Sequence, residues 1–221
     1  MVTIYVGPKT YIVHEELICH KVDYFNKLFK GNFEEATTKT VTLKEDDPDA
    51  FGHFINWLYG EAFVCKKDSC KAPVTVHSDP RHILPSIALY VLADKYGVVE
   101  LAQQCIHVCD TCLVALGNPL TEEEVTVIYD RFPHNDNLKS WAIRSVVEMF
   151  YSNCYYTFQA EPENEFKSWT EFEEALDNNH EDFEKDWKVA IKEHLSLKVS
   201  ECDIHECRYD HRPSFEFVFA N

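Results

Sequence analysis

Tyr90-Val91-Leu92-Ala93-Asp94-Lys95-Tyr96 closes the most apolar tract of this chain, and Gly97 follows it. Ile83 to Tyr96 and Val98 to Leu116 are each apolar enough for a helix with a buried face, hinged at Gly97. The pair predicts a packed helical hairpin, which needs another layer to cover its apolar side. The residues upstream provide one. Val2-Thr3-Ile4-Tyr5-Val6 and Tyr11-Ile12-Val13 read as strands, and Gly7-Pro8-Lys9-Thr10 between them is turn chemistry, so the chain opens with a β-hairpin. Glu15 to Phe29 carries Leu17, Ile18, Tyr24, Phe25, Leu28 and Phe29 at helical spacing and predicts a helix. Val41-Thr42-Leu43 is a short third strand. Pro48 opens a helix at the first-turn position, where its missing N–H costs nothing. Phe51, Phe54, Ile55 and Leu58 line one face of that helix, and Gly60 ends it. Residues 61–82 are a less regular insert.

Composition shifts at Gly117-Asn118-Pro119, which sets a domain boundary and divides the chain into residues 1–117 and 118–221. The second part reads as helical. Thr121-Glu122-Glu123-Glu124 is a capping box for Val125 to Phe132, and Asn135 or Asp136 caps a helix from Leu138 to about Tyr151. Ser168-Trp169-Thr170-Glu171 is a second capping box, and His180 to Leu195 is a further amphipathic stretch. Ser214 to Phe219 alternates weakly. The fold class is therefore α+β: a small sheet with clustered helices, followed by a mostly helical, acidic region.

The 221 residues suffice for one large domain or two small ones. Against 21 Lys+Arg stand 38 Asp+Glu, a formal charge of −17. Such a surface repels phosphate backbones and anionic lipid heads, which excludes nucleic acid as a partner of this chain alone and favours basic protein surfaces. The longest apolar stretch, Ile87 to Ala93, is too short to span a bilayer. Met1 leads straight into a strand without the pattern of a secretory signal, so the 9 cysteines are expected as reduced thiols in a cytoplasmic or nuclear protein. No Gly-rich phosphate loop, Gly-x-Ser-x-Gly elbow or His-Glu-x-x-His helix is present, and no enzyme activity is expected.

The ordered set of motifs resembles a BTB/POZ domain. It is carried by Val2 to Gly7, Tyr11-Ile12-Val13-His14, Ile18, Tyr24-Phe25, Phe29 and Phe33-Glu34-Glu35. Val41-x-Leu43, Asp49-x-Phe51, Phe54, Trp57-Leu58-Tyr59, Tyr90-x-Leu92-Ala93-Asp94-Lys95-Tyr96 and Leu101 complete it, over about residues 2–116. The overall style is similar to the BTB-like proteins of filamentous fungi. In two respects the chain departs from the family. Val22 stands where Ser is usual, which removes a hydroxyl from a local helix cap. The chain also begins at the first strand, without the N-terminal helix and strand that many dimeric BTB domains exchange, so the family-style homodimer is not expected, and a smaller or different dimer contact is the open alternative.

Phe33-Glu34-Glu35 matches the hydrophobic-x-acid pattern with which BTB adaptors engage a cullin: an aromatic anchor fills an apolar pocket while a rim carboxylate steers. The plain alternative is a turn with Phe33 packed inward. His14 is read as a structural histidine bonded to local backbone. Asp94 is read as organising a polar pocket at an interface, or as a partly buried charge paired with a neighbour. Cys202-x-x-His205-x-Cys207-x-x-x-His211 has the ligand count and softness that zinc prefers, although its spacing departs from the usual finger and a chance cluster on a polar tail is the alternative. No other cofactor is expected. Cys105, Cys109 and Cys112 fall on one helix face and suit core packing, while Cys65 and Cys70 suit loop thiols. The aromatics within Glu161 to Asp186, and Trp187 after them, either pack on the body or offer an acidic-aromatic surface to a basic partner.

The resulting expectation is a protein-interaction module: an adaptor that joins a substrate protein to a cullin-based ubiquitin ligase. Its alternatives are a self-associating structural or transcriptional scaffold without ligase role, and a zinc-binding interaction module built on the C-terminal cluster.

Overall fold

The computed structural model describes residues 1–64, 83–116, 120–157, 182–183 and 185–190. In β1 (Val2–Val6), Val2, Ile4 and Val6 are buried while Tyr5 is exposed, the period-two signature of a strand with one covered face. Gly7-Pro8 joins β1 to β2 (Lys9–Val13) as a two-residue loop. Gly7 sits at φ +51, a sign that the first central position of a tight hairpin turn requires and that glycine adopts freely. β3 (Thr40–Leu43) pairs with β1 in parallel, so the order is β2-β1-β3.

A parallel neighbour needs a crossover. It is built from α1 (Glu15–Lys21), α2 (Asp23–Lys30) and α3 (Glu34–Thr38). The single helix expected over Glu15–Phe29 is thus two. Val22, at φ −135 and ψ 107, ends α1 by donating its N–H to the Ile18 carbonyl (3.0 Å) and opens α2 by accepting from Asn26 (3.1 Å). Its β-branched side chain favours that extended backbone and is buried in the core. The missing hydroxyl leaves α2 without a side-chain cap.

α4 (Pro48–Leu58) starts as expected at Pro48, with Asp47 capping the N–H groups of Asp49 and Ala50 at 2.9 Å each. α5 (Leu84–Lys95) and α6 (Val99–Leu116) form the predicted hairpin. Two helices end in the same way. Gly97, at φ +67, donates to Asp94 (3.0 Å) while Val98 donates to Ala93 (2.8 Å). Gly60, at φ +91, donates to Trp57 (2.9 Å) while Glu61 donates to Asn56 (3.0 Å). Both are Schellman motifs, which explains the glycine at each stop.

Phe25, Phe51, Phe54 and Tyr96 form the aromatic centre, with ring centroids 5.1 to 6.4 Å apart. A carboxylate lies beside it. Asp46, with a side chain only 2% exposed, accepts hydrogen bonds from the Tyr96 hydroxyl and from Lys95 Nζ, the latter at 2.7 Å. Burial, and then the hydrogen bond to that acid, push the Tyr96 hydroxyl far above the ordinary phenol range, so it stays a donor. Cys105, Cys109 and Cys112 are buried, none of them in a disulfide, and burial raises Cys105 to about 12. They pack as small hydrophobes.

Beyond residue 120 the expected helix Val125–Phe132 is instead α7 (Glu122–Thr126) followed by a π-helical turn, Val127–Arg131. The wider turn sets the adjacent Ile128 and Tyr129 both into the core. Of the two residues considered as cap for α8 (Asp136–Thr157), Asn135 fills the role, its side chain accepting from Leu138 N–H at 2.9 Å. α8 is tied back by Trp141, fully buried, which donates to Asp110 at 2.8 Å. Phe183 meets Tyr129 edge-on at 5.3 Å, and Trp187 is also buried. These two aromatics pack on the body. The buried cluster therefore runs without a break from Val2 to Trp187. No helix among the described residues is long and apolar enough to cross a membrane. The Ser168–Glu171 capping box, the Ser214–Phe219 segment, Cys65, Cys70 and the Cys202–His211 cluster lie outside the described residues.

Asp46→Ala strands the Tyr96 hydroxyl in the aromatic core and frees Lys95 to water. It is expected to lower unfolding free energy by about 1–3 kcal/mol in urea titration, with Tyr96→Phe costing at least as much because it leaves the buried carboxylate with Lys95 as its one donor.

Glu124 completes the capping box: it accepts from the Thr121 N–H (2.8 Å) and hydroxyl (3.0 Å), and donates its own N–H to Thr121 Oγ1 (3.3 Å). Burial raises its carboxyl from 4.5 to about 7. Between those values the unfolded chain has released the proton and the folded chain has kept it, so stability falls as pH rises through this window. Glu124→Gln keeps the acceptor without the titration. Relative to that variant, the wild type should lose on the order of 2 kcal/mol between pH 4 and pH 8, read from paired denaturation curves.

Candidate functional site

The exit from α2 sets the geometry of the site. A Cβ on Gly31 would lie 2.3 Å from the Lys27 carbonyl oxygen, so only glycine passes this point. Had the helix continued, Phe33 would have stacked one turn above Phe29 on the buried face. Instead the chain turns outward. Phe29 is 1% exposed and Phe33 is 59% exposed.

Phe33 is the N-cap of α3, with extended backbone and no side-chain cap. Glu34 is exposed and Glu35 half-buried. The far end of α3 is clamped by Lys39, whose left-handed backbone (φ +54) stops the helix. Its Nζ donates to Glu15 (2.6 Å) and to the Phe29 carbonyl (3.0 Å). The clamp joins the end of α3 to the start of α1 and the end of α2. The inward-packed alternative for Phe33 is excluded by its exposure. The arrangement presents an apolar ring followed by two carboxylates on a short, fixed helix. That suits insertion into an apolar pocket with a basic rim, and offers no acid–base or nucleophilic constellation.

His14 is exposed, and its partner is a side chain and not local backbone. Its Nδ1 lies 2.7 Å from the Tyr59 hydroxyl, which also accepts the His14 N–H at 3.2 Å. The pair ties the exit of β2 to the end of α4. Asp94 is exposed as well, and accepts a hydrogen bond from Asn135 at 3.0 Å. The buried acid of this region is Asp46, which sequence reasoning did not single out. In Glu45-Asp46-Asp47 no period marks which carboxylate turns inward; only its place just before the Asp47 cap hinted at a fixed orientation. Among the described residues no three His, Cys, Asp or Glu side chains cluster closely enough to hold a metal ion.

A family model for the BTB/POZ domain matches residues 2–113. The chain belongs to the BTB/POZ family. That match takes in β1 through most of α6 and contains every residue of the Phe33 site. The BTB and MATH domain-containing protein 15 of Caenorhabditis elegans is 38% identical over 63 residues, 28% of this chain. The match spans 23% of that relative's length. BTB/POZ domains are protein-interaction modules.

If the Phe33 ring is a surface anchor, removing it leaves the fold intact. Phe33→Ala is expected to shift stability by no more than about 0.5 kcal/mol. Phe29→Ala, four residues earlier, should cost about 3–5 kcal/mol. Calorimetry on the two variants tests the assignment of each ring.

Proposed function

We propose that this BTB/POZ protein is an adaptor of a cullin-based ubiquitin ligase, in which Phe33, Glu34 and Glu35 contact the cullin and residues 118–221 present a substrate protein. The observation that carries the reading is the exposure of Phe33 on the clamped α3. A large aromatic ring 59% open to water, on a loop that glycine bends outward, is accessible to a partner's pocket. Such rings supply most of the affinity where they enter a partner's pocket. Glu34, on the water side, speeds encounter with a basic surface, and Glu35 fixes register at the rim.

The relative's name joins a BTB domain to a second domain. A presenting region after residue 117, packed on the domain through Trp141 and Asn135, fits that plan here, in a protein with reduced thiols that works inside the cell. The second reading, a scaffold that self-associates without a ligase, draws on the self-association common to the family. Light scattering and a cullin pull-down separate the two.

Co-purification from cells decides the first reading. Wild type should retain a cullin, and the Phe33→Ala/Glu35→Lys double variant should lose at least about tenfold of it with its thermal transition unchanged. Equal retention by the folded double variant sinks the proposal.

A further inference from the structure

None of the five residues of α3 is buried, so apolar burial does little to fix its direction. Five residues are also far fewer than an isolated helix needs. Its N-cap, Phe33, supplies no side-chain hydrogen bond. The bonds from the Ala36 N–H to the Phe33 carbonyl (3.1 Å) and from the Thr38 hydroxyl to the Glu34 carbonyl (3.2 Å) are internal to the turn. Lys39, the C-cap, supplies the longer ties. Its carbonyl accepts the Thr3 N–H of β1 at 2.9 Å. Its Nζ donates to Glu15 of α1 at 2.6 Å and to the Phe29 carbonyl of α2 at 3.0 Å.

The identity of this residue is informative. At φ +54 its backbone is left-handed, a region that glycine occupies at less cost. Where a helix only has to stop, glycine serves, as Gly60 and Gly97 do. What a lysine adds in that place is an ammonium group on a long stem, and here the ammonium is bonded twice.

We infer that Lys39 is the positioning residue of the Phe33 site: its ammonium group, and not the helix stop, holds α3 so that the ring and the two acids are offered in one direction, and the partner's hold on Phe33 depends on it. The inference rests on the ligase reading for the identity of the partner, and on the geometry alone for the positioning. Phe33 follows the bend at Gly31, where a Cβ would lie 3.4 Å from its ring. A swing of α3 carries the ring with it. The partner's pocket then meets a spread of directions, and affinity falls by the fraction of molecules correctly aligned.

The test combines amide order parameters from nitrogen-15 relaxation with cullin co-purification, both on the full chain. Wild type should give about 0.85 from Glu34 to Thr38, the value of rigid backbone. Lys39→Met should bring these below about 0.6, leave Phe25 and Phe29 at their wild-type values, and cut retained cullin about fivefold. Lys39→Gly keeps the left-handed stop without the ammonium, so it should match Lys39→Met; it also holds the test should that variant not fold. Lys39→Arg, with charge and donors in place, should restore both readings. In a Phe33→Ala background, Lys39→Met should cost no further cullin, because the ring it positions is gone. Unchanged order in α3 overturns the inference, as does order lost with cullin fully retained. So does Lys39→Gly at wild-type order and retention, which makes the residue a helix stop, or a cullin loss that adds in full to that of Phe33→Ala. A wild type that retains no cullin sinks the ligase reading alone, and the order parameters then decide the inference.

Discussion

A buried carboxylate decides how the two halves of the BTB/POZ domain meet. Asp46 belongs to the link between β3 and α4; Tyr96 and Lys95 close α5. An unpaired ionised acid in the core would cost several kcal/mol, so the fold tolerates Asp46 only with both donors in place. The Tyr96 ring in turn lies 5.1 Å from Phe25 and 5.9 Å from Phe54. Hydrogen bond and aromatic packing therefore demand the same position of α5. Burial of large rings supplies the driving force; the carboxylate selects one arrangement among those that bury them.

The same division between driving force and selection recurs at the surface. Phe29 and Phe33 are chemically identical and four residues apart, yet one is core and the other is solvent-facing. Hydrophobicity cannot separate them. The backbone does, through a glycine that alone fits against the Lys27 carbonyl and a lysine that stops α3 in the left-handed region. The Lys39 side chain is 39% exposed and Glu15 20%, so screening leaves that ion pair modest energy. Its value is positional: three elements converge on one ammonium group.

Elements whose signal is local were legible before the fold. The β1–β2 hairpin, the Pro48 start, the glycine stops at 60 and 97 and the Thr121–Glu124 box each rest on a residue whose backbone or capping preference acts within a turn. What escaped depends on contacts distant in sequence. The break at Val22 has no Gly or Pro; it follows from a β-branched side chain reaching a core that assembles only later. The π turn after α7 preserves a helical apolar pattern while changing its pitch. His14 looked like a backbone cap because its partner, Tyr59, lies 45 residues away. Asp94 drew notice through its motif, while the buried acid proved to be Asp46, 48 positions upstream in an unremarked acidic run.

Charge completes the division of labour. Residues 1–116 hold 11 Lys+Arg against 15 Asp+Glu, and residues 117–221 hold 10 against 23. Most of the net −17 therefore belongs to the part beyond the BTB/POZ domain. Within the domain the visible cations are largely spent on local pairs: Lys9 on Asp49, Lys30 on Glu16, Lys39 on Glu15 and Lys95 on Asp46. A nearly neutral platform can approach a partner through apolar groups such as Phe33 without first overcoming a field of its own. The acidic remainder carries a field that reaches about 10 Å at ordinary ionic strength and favours basic surfaces over acidic ones. On the proposed reading, most of the long-range attraction comes from the residues beyond the domain, while Phe33 and the two acids beside it act at contact.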